Sequence, residues 1–326
     1  MRLDNLIFHI AMSANIMERD AMSRCANCGV GEGDGIELKT CTACKSVKYC
    51  GITCQKKHRP KHKRACKKRA AEIRDEILFK QPESRHLGDC PICFLPHSLD
   101  EGKTVLMICC GKLICNGCNF ANQRRELEEG RDHKCPFCRQ LKPESGAEAF
   151  KILMDRAAEM KCTISMCEVG LRLYKKGEFQ AAFDYYSRAA ALGNLEGHCM
   201  LAEMYFKGEG VEKDVSKAVH HTELAAMGGH ASARNNLGGF ENENRRCQRA
   251  IKHWMIGAKA GHDHSLENLK KAYKKGFLSK DDFAEALRGH QAALNATKSP
   301  QREEAAEERR RIEEYMRQQN AYLSNI

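Results

Sequence analysis

The chain has 326 residues, 42% of them hydrophobic and only 6% aromatic, with a formal net charge of +11. This balance excludes a disordered polar protein, and the length leaves room for two or three folded, mostly helical domains. No window is long and apolar enough to span a bilayer, so a membrane-embedded protein is not expected either.

Residues 1–24 read as a leader. Their most apolar stretch, LIFHIAMSANIM, is interrupted by His9 and Asn15, which leaves a short helix or a flexible arm rather than a signal segment. Fifteen of the nineteen cysteines then fall between Cys25 and Cys138, mostly as pairs separated by two residues. Disulfide frameworks suit small secreted domains, whereas this spacing, beside histidines, is that of zinc ligands. Thiols that must stay reduced to hold metal place the protein in the cytoplasm or nucleus.

The first module, residues 25–66, offers Cys25 and Cys28, Cys41 and Cys44, Cys50 and Cys54, then His62 and Cys66. Eight donors make two tetrahedral sites, and so short a stretch needs metal to fold. The sequence CANCGVGEGDGIELKTCTACKSVKYCGITCQKKHRPKHKRAC resembles a MYND zinc finger over its whole length. The resemblance implies an interleaved ligand order: Cys25, Cys28, Cys50 and Cys54 at one zinc, Cys41, Cys44, His62 and Cys66 at the other. His58 has no place in that order and is expected at the surface. MYND fingers mainly bind proline-containing peptides, and the tryptophan often found after the position of His58 is here Arg59, so peptide preference does not carry over. The cofactor-binding motifs of a SET methyltransferase, in which MYND fingers also occur, are absent.

A basic run, CQKKHRPKHKRACKKRAAEIR, leads into a helical linker over 67–89. With no aromatic residues among its lysines and arginines it reads as a solvated face around a zinc site, and nucleic acid is not an expected partner.

The second module, residues 90–139, carries Cys90 and Cys93, Cys109 and Cys110, Cys115 and Cys118, Cys135 and Cys138. The pattern CPIC, CCGKLICNGC, CPFCR resembles a RING finger, a cross-braced domain that recruits ubiquitin-conjugating enzymes. It implies Cys90, Cys93, Cys115 and Cys118 at one zinc, with Cys135 and Cys138 at the other. The usual RING histidine slot is Lys112, which cannot ligate, so Cys109 and Cys110 are the simplest remaining donors, with His97 or His133 as alternatives for one of them. By the same resemblance Ile92 and Pro136 lie on the surface offered to the conjugating enzyme, and Arg139 stands where active ligases bridge that enzyme to its ubiquitin.

From Ala147 to about residue 290 the chain is alanine-rich, with helical periodicity and an internal repeat: Gly193 and Leu201 recur as Gly229 and Leu237 after 36 residues, then as Gly261 and Leu269 after 32. The unit Leu201-Ala202, Tyr205, Gly208, Gly210-Val211, Asp214, Lys217-Ala218, Ala225-Ala226 resembles a Sel-one-like repeat, a tetratricopeptide-like helix pair. About three and a half such units, from near Gly170 to near Gly276, imply an α-solenoid whose concave face binds proteins. Cys162, Cys167, Cys199 and Cys247 lack pair spacing and read as small buried hydrophobes, and the clustered histidines as surface residues. Ser299-Pro300 starts a charged helix over 299–326 with Glu307–Arg311 and Glu313–Arg317 pairs, expected to be solvated.

The expected fold class is therefore mainly α: two small cross-braced zinc modules joined to an α-solenoid. Four structural zinc ions are its only expected cofactors, and no residue is catalytic in the covalent sense. The leading functional expectation is a ubiquitin ligase that takes a conjugating enzyme on the RING-like module and protein substrates or peptides on the repeats and the MYND-like finger. The alternative is a non-enzymatic adaptor built from the same modules.

Overall fold

The computed structural model describes residues 24–33 and 35–323. All of the expected leader except Arg24 lies outside these residues. Among the described residues there are twelve α-helices and four short strands. They divide into two compact units, one ending at Lys80 and the other beginning at Gln81.

In the first unit β1 (Lys39–Thr40) pairs antiparallel with β2 (Lys48–Tyr49), and α1 (Ile52–Leu78) follows at once. Its core is little more than Cys25, Leu38, Cys41, Cys44 and Tyr49. So small an apolar core leaves stability to whatever holds the thiols together. The basic run and most of the linker form one continuous helix with the last ligands of the finger. Pro60 lies inside it and, lacking an N–H, breaks one bond of the ladder on an exposed side, where water can satisfy the freed carbonyl.

In the second unit a hairpin of β3 (Thr104–Met107) and β4 (Lys112–Cys115), registered Thr104 to Cys115 and Met107 to Lys112, leads directly into α2 (Asn116–Glu128). Then come α3 (Gly146–Ala158) and four antiparallel helix pairs: α4 (Thr163–Lys175) with α5 (Phe179–Ala191), α6 (Leu195–Lys207) with α7 (Val215–Met227), α8 (Ala231–Glu243) with α9 (Cys247–Lys259), and α10 (Asp263–Lys274) with α11 (Lys280–Asn295). Each pair packs on the next. Alanines allow that approach: Ala157, Ala182, Ala189 and Ala225 are fully buried, around larger side chains such as Tyr186, Met204 and Leu269.

The pairs number four, from 163 to 295, rather than about three and a half from 170 to 276. The sequence repeat follows the glycine-rich loop between α6 and α7, but the other pairs turn in three to five residues without it. What does recur is the joint between pairs. Gly193, Gly229 and Gly261 take φ of 82°, 95° and 92°, and the next residue, Asn194, His230 or His262, caps the following helix by accepting the N–H of Gly197, Ala233 or Ser265. His262, expected at the surface with the other clustered histidines, is thus a half-buried cap, as His230 is a buried one.

The last helix, α12 (Pro300–Leu323), departs from the expected solvated tail. Its first half packs on α2 of the cysteine-rich module, with Arg124 paired to Glu304 and Arg309 donating to the Gly102 carbonyl. Farther along, Ile312, Tyr315 and Met316 are exposed. The pair Glu307–Arg311 forms at 3.4 Å, whereas Glu313 turns to Arg309, at 2.8 Å.

The loop between α6 and α7 supplies a test of the solenoid. Gly210 has φ of 69°, and a Cβ there would stand 2.5 Å from the Phe179 carbonyl of the preceding pair. Gly239, within α8, has open space around it. Gly210→Ala should therefore destabilise by more than about 1 kcal/mol, while Gly239→Ala should be neutral or stabilise by about 0.5–1 kcal/mol, both read by urea unfolding of the helical circular-dichroism signal.

Candidate metal centres

Four groups of Cys and His bring their donor atoms within 4.8 Å of one another: Cys25, Cys28, Cys50 and Cys54; Cys41, Cys44, His62 and Cys66; Cys90, Cys93, Cys115 and Cys118; Cys109, Cys110, Cys135 and Cys138. The first three are the groupings that the MYND and RING resemblances imply, and the fourth brings Cys109 and Cys110 beside Cys135 and Cys138. In both modules the first and third pairs share one centre and the second and fourth the other, so neither centre can form without the chain crossing between them.

In the first module α1 serves both centres. Cys54, His58, His62 and Cys66 succeed one another at four-residue steps and share one helix face. Cys50 Sγ lies 3.6 Å from Cys28 and 3.5 Å from Cys54, Cys41 Sγ lies 3.8 Å from Cys66, and His62 Nε2 lies 3.2 Å from Cys44. A tetrahedron of Zn–S bonds of about 2.3 Å has sulfur edges of about 3.8 Å, so the donor sets fit zinc in kind and in spacing. His58, expected at the surface, is instead half-buried, hydrogen-bonded to the buried Tyr49 hydroxyl at 3.1 Å and stacked on His62. It orients a ligand without being one. At Cys25 burial would raise the thiol, but the backbone amides of Cys28, Cys50 and Asn27 outweigh it and bring it down to about 6. At Cys41 the amides of Cys44 and Ala43 likewise overcome burial, again to about 6. Such thiols deprotonate readily, as ligation requires.

In the second module Cys93 and Cys115 lie 3.8 Å apart, Cys110 and Cys135 3.8 Å, and Cys109 and Cys138 3.4 Å. Adjacent cysteines in a strand would point to opposite faces. Cys109 and Cys110 instead occupy the hairpin turn, where the N–H groups of Cys110 and Gly111 both bond the Met107 carbonyl, and so both can serve one centre. The alternative donors stand elsewhere: His97 is buried with its backbone N–H on the Gly88 carbonyl, and His133 faces Glu126 at 3.5 Å. Cys115 ends β4 and its sulfur caps α2, accepting the N–H of Cys118. Glu126 and Asn122 of α2 bind the backbone of Lys134 and fix the segment that delivers Cys135. Four cysteine turns place the residue after the second cysteine in the left-handed region: Gly29, Lys45, Phe94 and Arg139.

Two arginines, invisible to spacing arguments, complete this module. Arg156 of α3 donates to the carbonyls of Cys109 and Cys110 at 3.1 and 2.9 Å. Arg302 of α12 donates to the carbonyls of Pro96, Thr297 and Leu95 at 2.7, 2.9 and 3.1 Å, and to Cys93 Sγ at 3.3 Å. Burial would raise the Cys93 thiol, but the Leu95 amide and then Arg302 bring it down to about 7. One basic side chain from each end of the helical array thus grips each centre.

A fifth group, His86, Glu196 and His230, also meets the distance criterion but does not fit a metal. His230 Nδ1 accepts the Ala233 N–H, so its proton sits on Nε2, which donates to Glu196 Oε2 at 2.9 Å. Ligation through Nε2 would need that proton on Nδ1, where it would face another N–H. The group is a hydrogen-bonded joint that fixes the segment around His86, stacked on His230 at 4.1 Å, to the second repeat. Of the remaining cysteines, Cys167 and Cys199 are pushed up to about 12 by burial and are inert thiols.

With this geometry in place, comparison with known families is direct. The MYND finger family matches residues 25–66, and the Sel1 repeat matches residues 163–194 and 195–230. The chain carries a MYND finger and Sel1 repeats. Similar solved structures include a protective antigen of uropathogenic Escherichia coli strains displaying an SLR fold (20% identity, 47% of this chain and 34% of that one, TM-score 0.37). A Sel1 repeat protein from Oxalobacter formigenes is also similar (19% identity, 56% and 73%, TM-score 0.39). The chain thus spans about a third of the first of these. No curated protein matches it. Its MYND finger and Cys/His clusters are suited to zinc, and its repeats to protein–protein interaction. Among the described residues no helix is long and apolar enough to cross a membrane.

Elemental analysis should return four zinc ions per chain, one per cluster; two would mean that one module stays unmetallated. Arg302→Ala should keep that count but hasten zinc transfer to a competing chelator from one site of the four, with Arg302→Lys restoring only part, since an ammonium cannot fork between carbonyls. An exposed neighbour change, Arg310→Ala, should leave the kinetics as they are.

Proposed function

We propose that the chain is a RING-type ubiquitin ligase whose second module takes a ubiquitin-conjugating enzyme, while the Sel1 solenoid, with the MYND finger, takes the protein substrate. What carries the reading is that the residues such an enzyme would need are not used by the fold. Ile92, in the turn between the buried Cys90 and the half-buried Cys93, is 38% exposed. In the second turn Pro136, half-buried, directly follows Cys135, one place earlier than Ile92 in the first, and Cys138 closes the turn. Arg139 comes next, exposed, and its guanidinium meets no partner among the described residues. Phe94 and Phe137 extend the apolar surface, and the Lys112 ammonium, in the slot of the usual RING histidine, lies 5.3 Å over the Phe137 ring.

The activity on this reading is positional. The substrate lysine attacks the thioester carbonyl of ubiquitin held on the conjugating enzyme, whose thiol leaves; the ligase forms no bond of its own. Ile92 and Pro136 hold the enzyme, and Arg139 restrains its ubiquitin in a reactive arrangement. Zinc, when bound, is structural: each centre has four protein donors and no open position for water. The many reduced thiols go with a cytoplasmic or nuclear setting.

The test is discharge of ubiquitin from a charged conjugating enzyme to free lysine, run with a panel of such enzymes. Ile92→Ala should weaken capture and Arg139→Ala should slow discharge after capture, both at full zinc content, whereas Cys90→Ser should lose metal and fold together. A wild-type protein that accelerates discharge with no enzyme in the panel would leave the non-enzymatic adaptor as the function.

A further inference from the structure

Helix α1 separates two chemistries by face. The stripe Cys54, His58, His62 and Cys66 is turned to the metal clusters. At about 3.6 residues per turn, Lys56, Arg59, Lys63 and Lys67 fall in one row, and Lys57, Lys61 and Arg64 in the row beside it, on the remaining arc. All seven are exposed. None meets an acidic group among the described residues. Acids enter the helix only at Glu72, and there Lys68 and Arg69 are promptly paired, at 4.0 and 3.2 Å.

That contrast argues against a merely solvated face. Exposed helices are commonly laced with opposite charges four residues apart, whereas like charges at that spacing destabilise. Here Arg59–Lys63, Lys63–Lys67 and Lys57–Lys61 repel at successive turns, and nothing on the finger relieves them. Between residues 24 and 80 there are fifteen Lys and Arg against six Asp and Glu.

We propose that this face binds the phosphate backbone of duplex nucleic acid without regard to sequence, independently of any ligase activity. A membrane surface is disfavoured because the exposed apolar residues of α1, Ile52 and Ile77, stand at its two ends rather than along a face that could insert. Single strands are disfavoured because α1 has no aromatic residue to stack on bases. The basic rows run about 17 Å, over which a duplex presents about ten phosphate charges, so the cations find acceptors in any register. Composition alone does not favour nucleic acid; what argues for it is the unpaired arrangement of the cations away from the metal-bearing stripe.

The test is fluorescence polarisation of a labelled random-sequence DNA duplex, and of an RNA duplex, with the zinc-loaded full-length protein. If about four phosphates are contacted, affinity should fall roughly a hundredfold between about 50 and 200 mM salt. Joint Lys56→Gln, Lys63→Gln, Arg64→Gln and Lys67→Gln substitution should abolish most of the binding, and single substitutions should each reduce the salt slope by about one, at unchanged zinc content. Lys270→Gln with Lys271→Gln, on the solenoid, should change neither. The proposal is overturned if the duplexes do not bind, if the fourfold variant binds them as wild type does, or if polyglutamate or phosphatidylserine vesicles compete as well as duplex.

Discussion

Sulfur atoms held 3.4 to 3.8 Å apart, in four clusters, are the constraint on which the two cysteine-rich modules depend. Thiolates at that distance repel strongly unless a cation lies among them, and the elements around them supply little else: two-residue strands in the first module, four-residue strands in the second. The backbone amides of the cysteine turns, which draw individual thiols toward ionisation, are therefore part of the same arrangement. They prepare the negative charge that a dication then balances, and the interleaved order makes the two centres of a module mutually dependent.

The helical repeats work by different physics. Their stability comes from alanine-lined contacts between successive helix pairs, and their geometry is set by a small joint repeated three times, a glycine followed by Asn194, His230 or His262 as cap. The second cysteine-rich module is built into this array rather than strung before it. Arg156 and Arg302 donate to backbone carbonyls at its two centres, and α12 lies along α2, while Ile92, Phe94 and Arg139 stay exposed. The helices thus steady the module without covering these residues.

How much of this could be read from the sequence varied with the distance over which the cause acts. Metal spacing is local: a cysteine pair two residues apart declares a turn, and the eight donors of the MYND finger could be ordered by resemblance alone. The repeat was legible from Gly193, Gly229 and Gly261, but its count was short, because pairs that turn tightly carry no glycine-rich loop to mark them. His58 was misjudged since nothing in its spacing reveals the Tyr49 hydroxyl beside it. Arg302 was read as one charge in a polar tail; its partners, Cys93, Leu95 and Pro96, are more than two hundred residues away, and no periodicity encodes a contact of that kind. Nor did composition reveal that the cations of α1 avoid the metal-bearing face.

The clasp of Arg302 on Cys93 also has a bearing on synthesis. The two residues are 209 positions apart, and a ribosome adding about 5–20 residues per second needs roughly 10 to 40 s to make the intervening chain. For the later part of that interval, once residue 139 has been passed, the cysteine-rich module has been made but the Arg302 donor has not. Any turn of the module that forms in that time is a nascent, unclasped fold, and the clasp comes only with the arrival of α12.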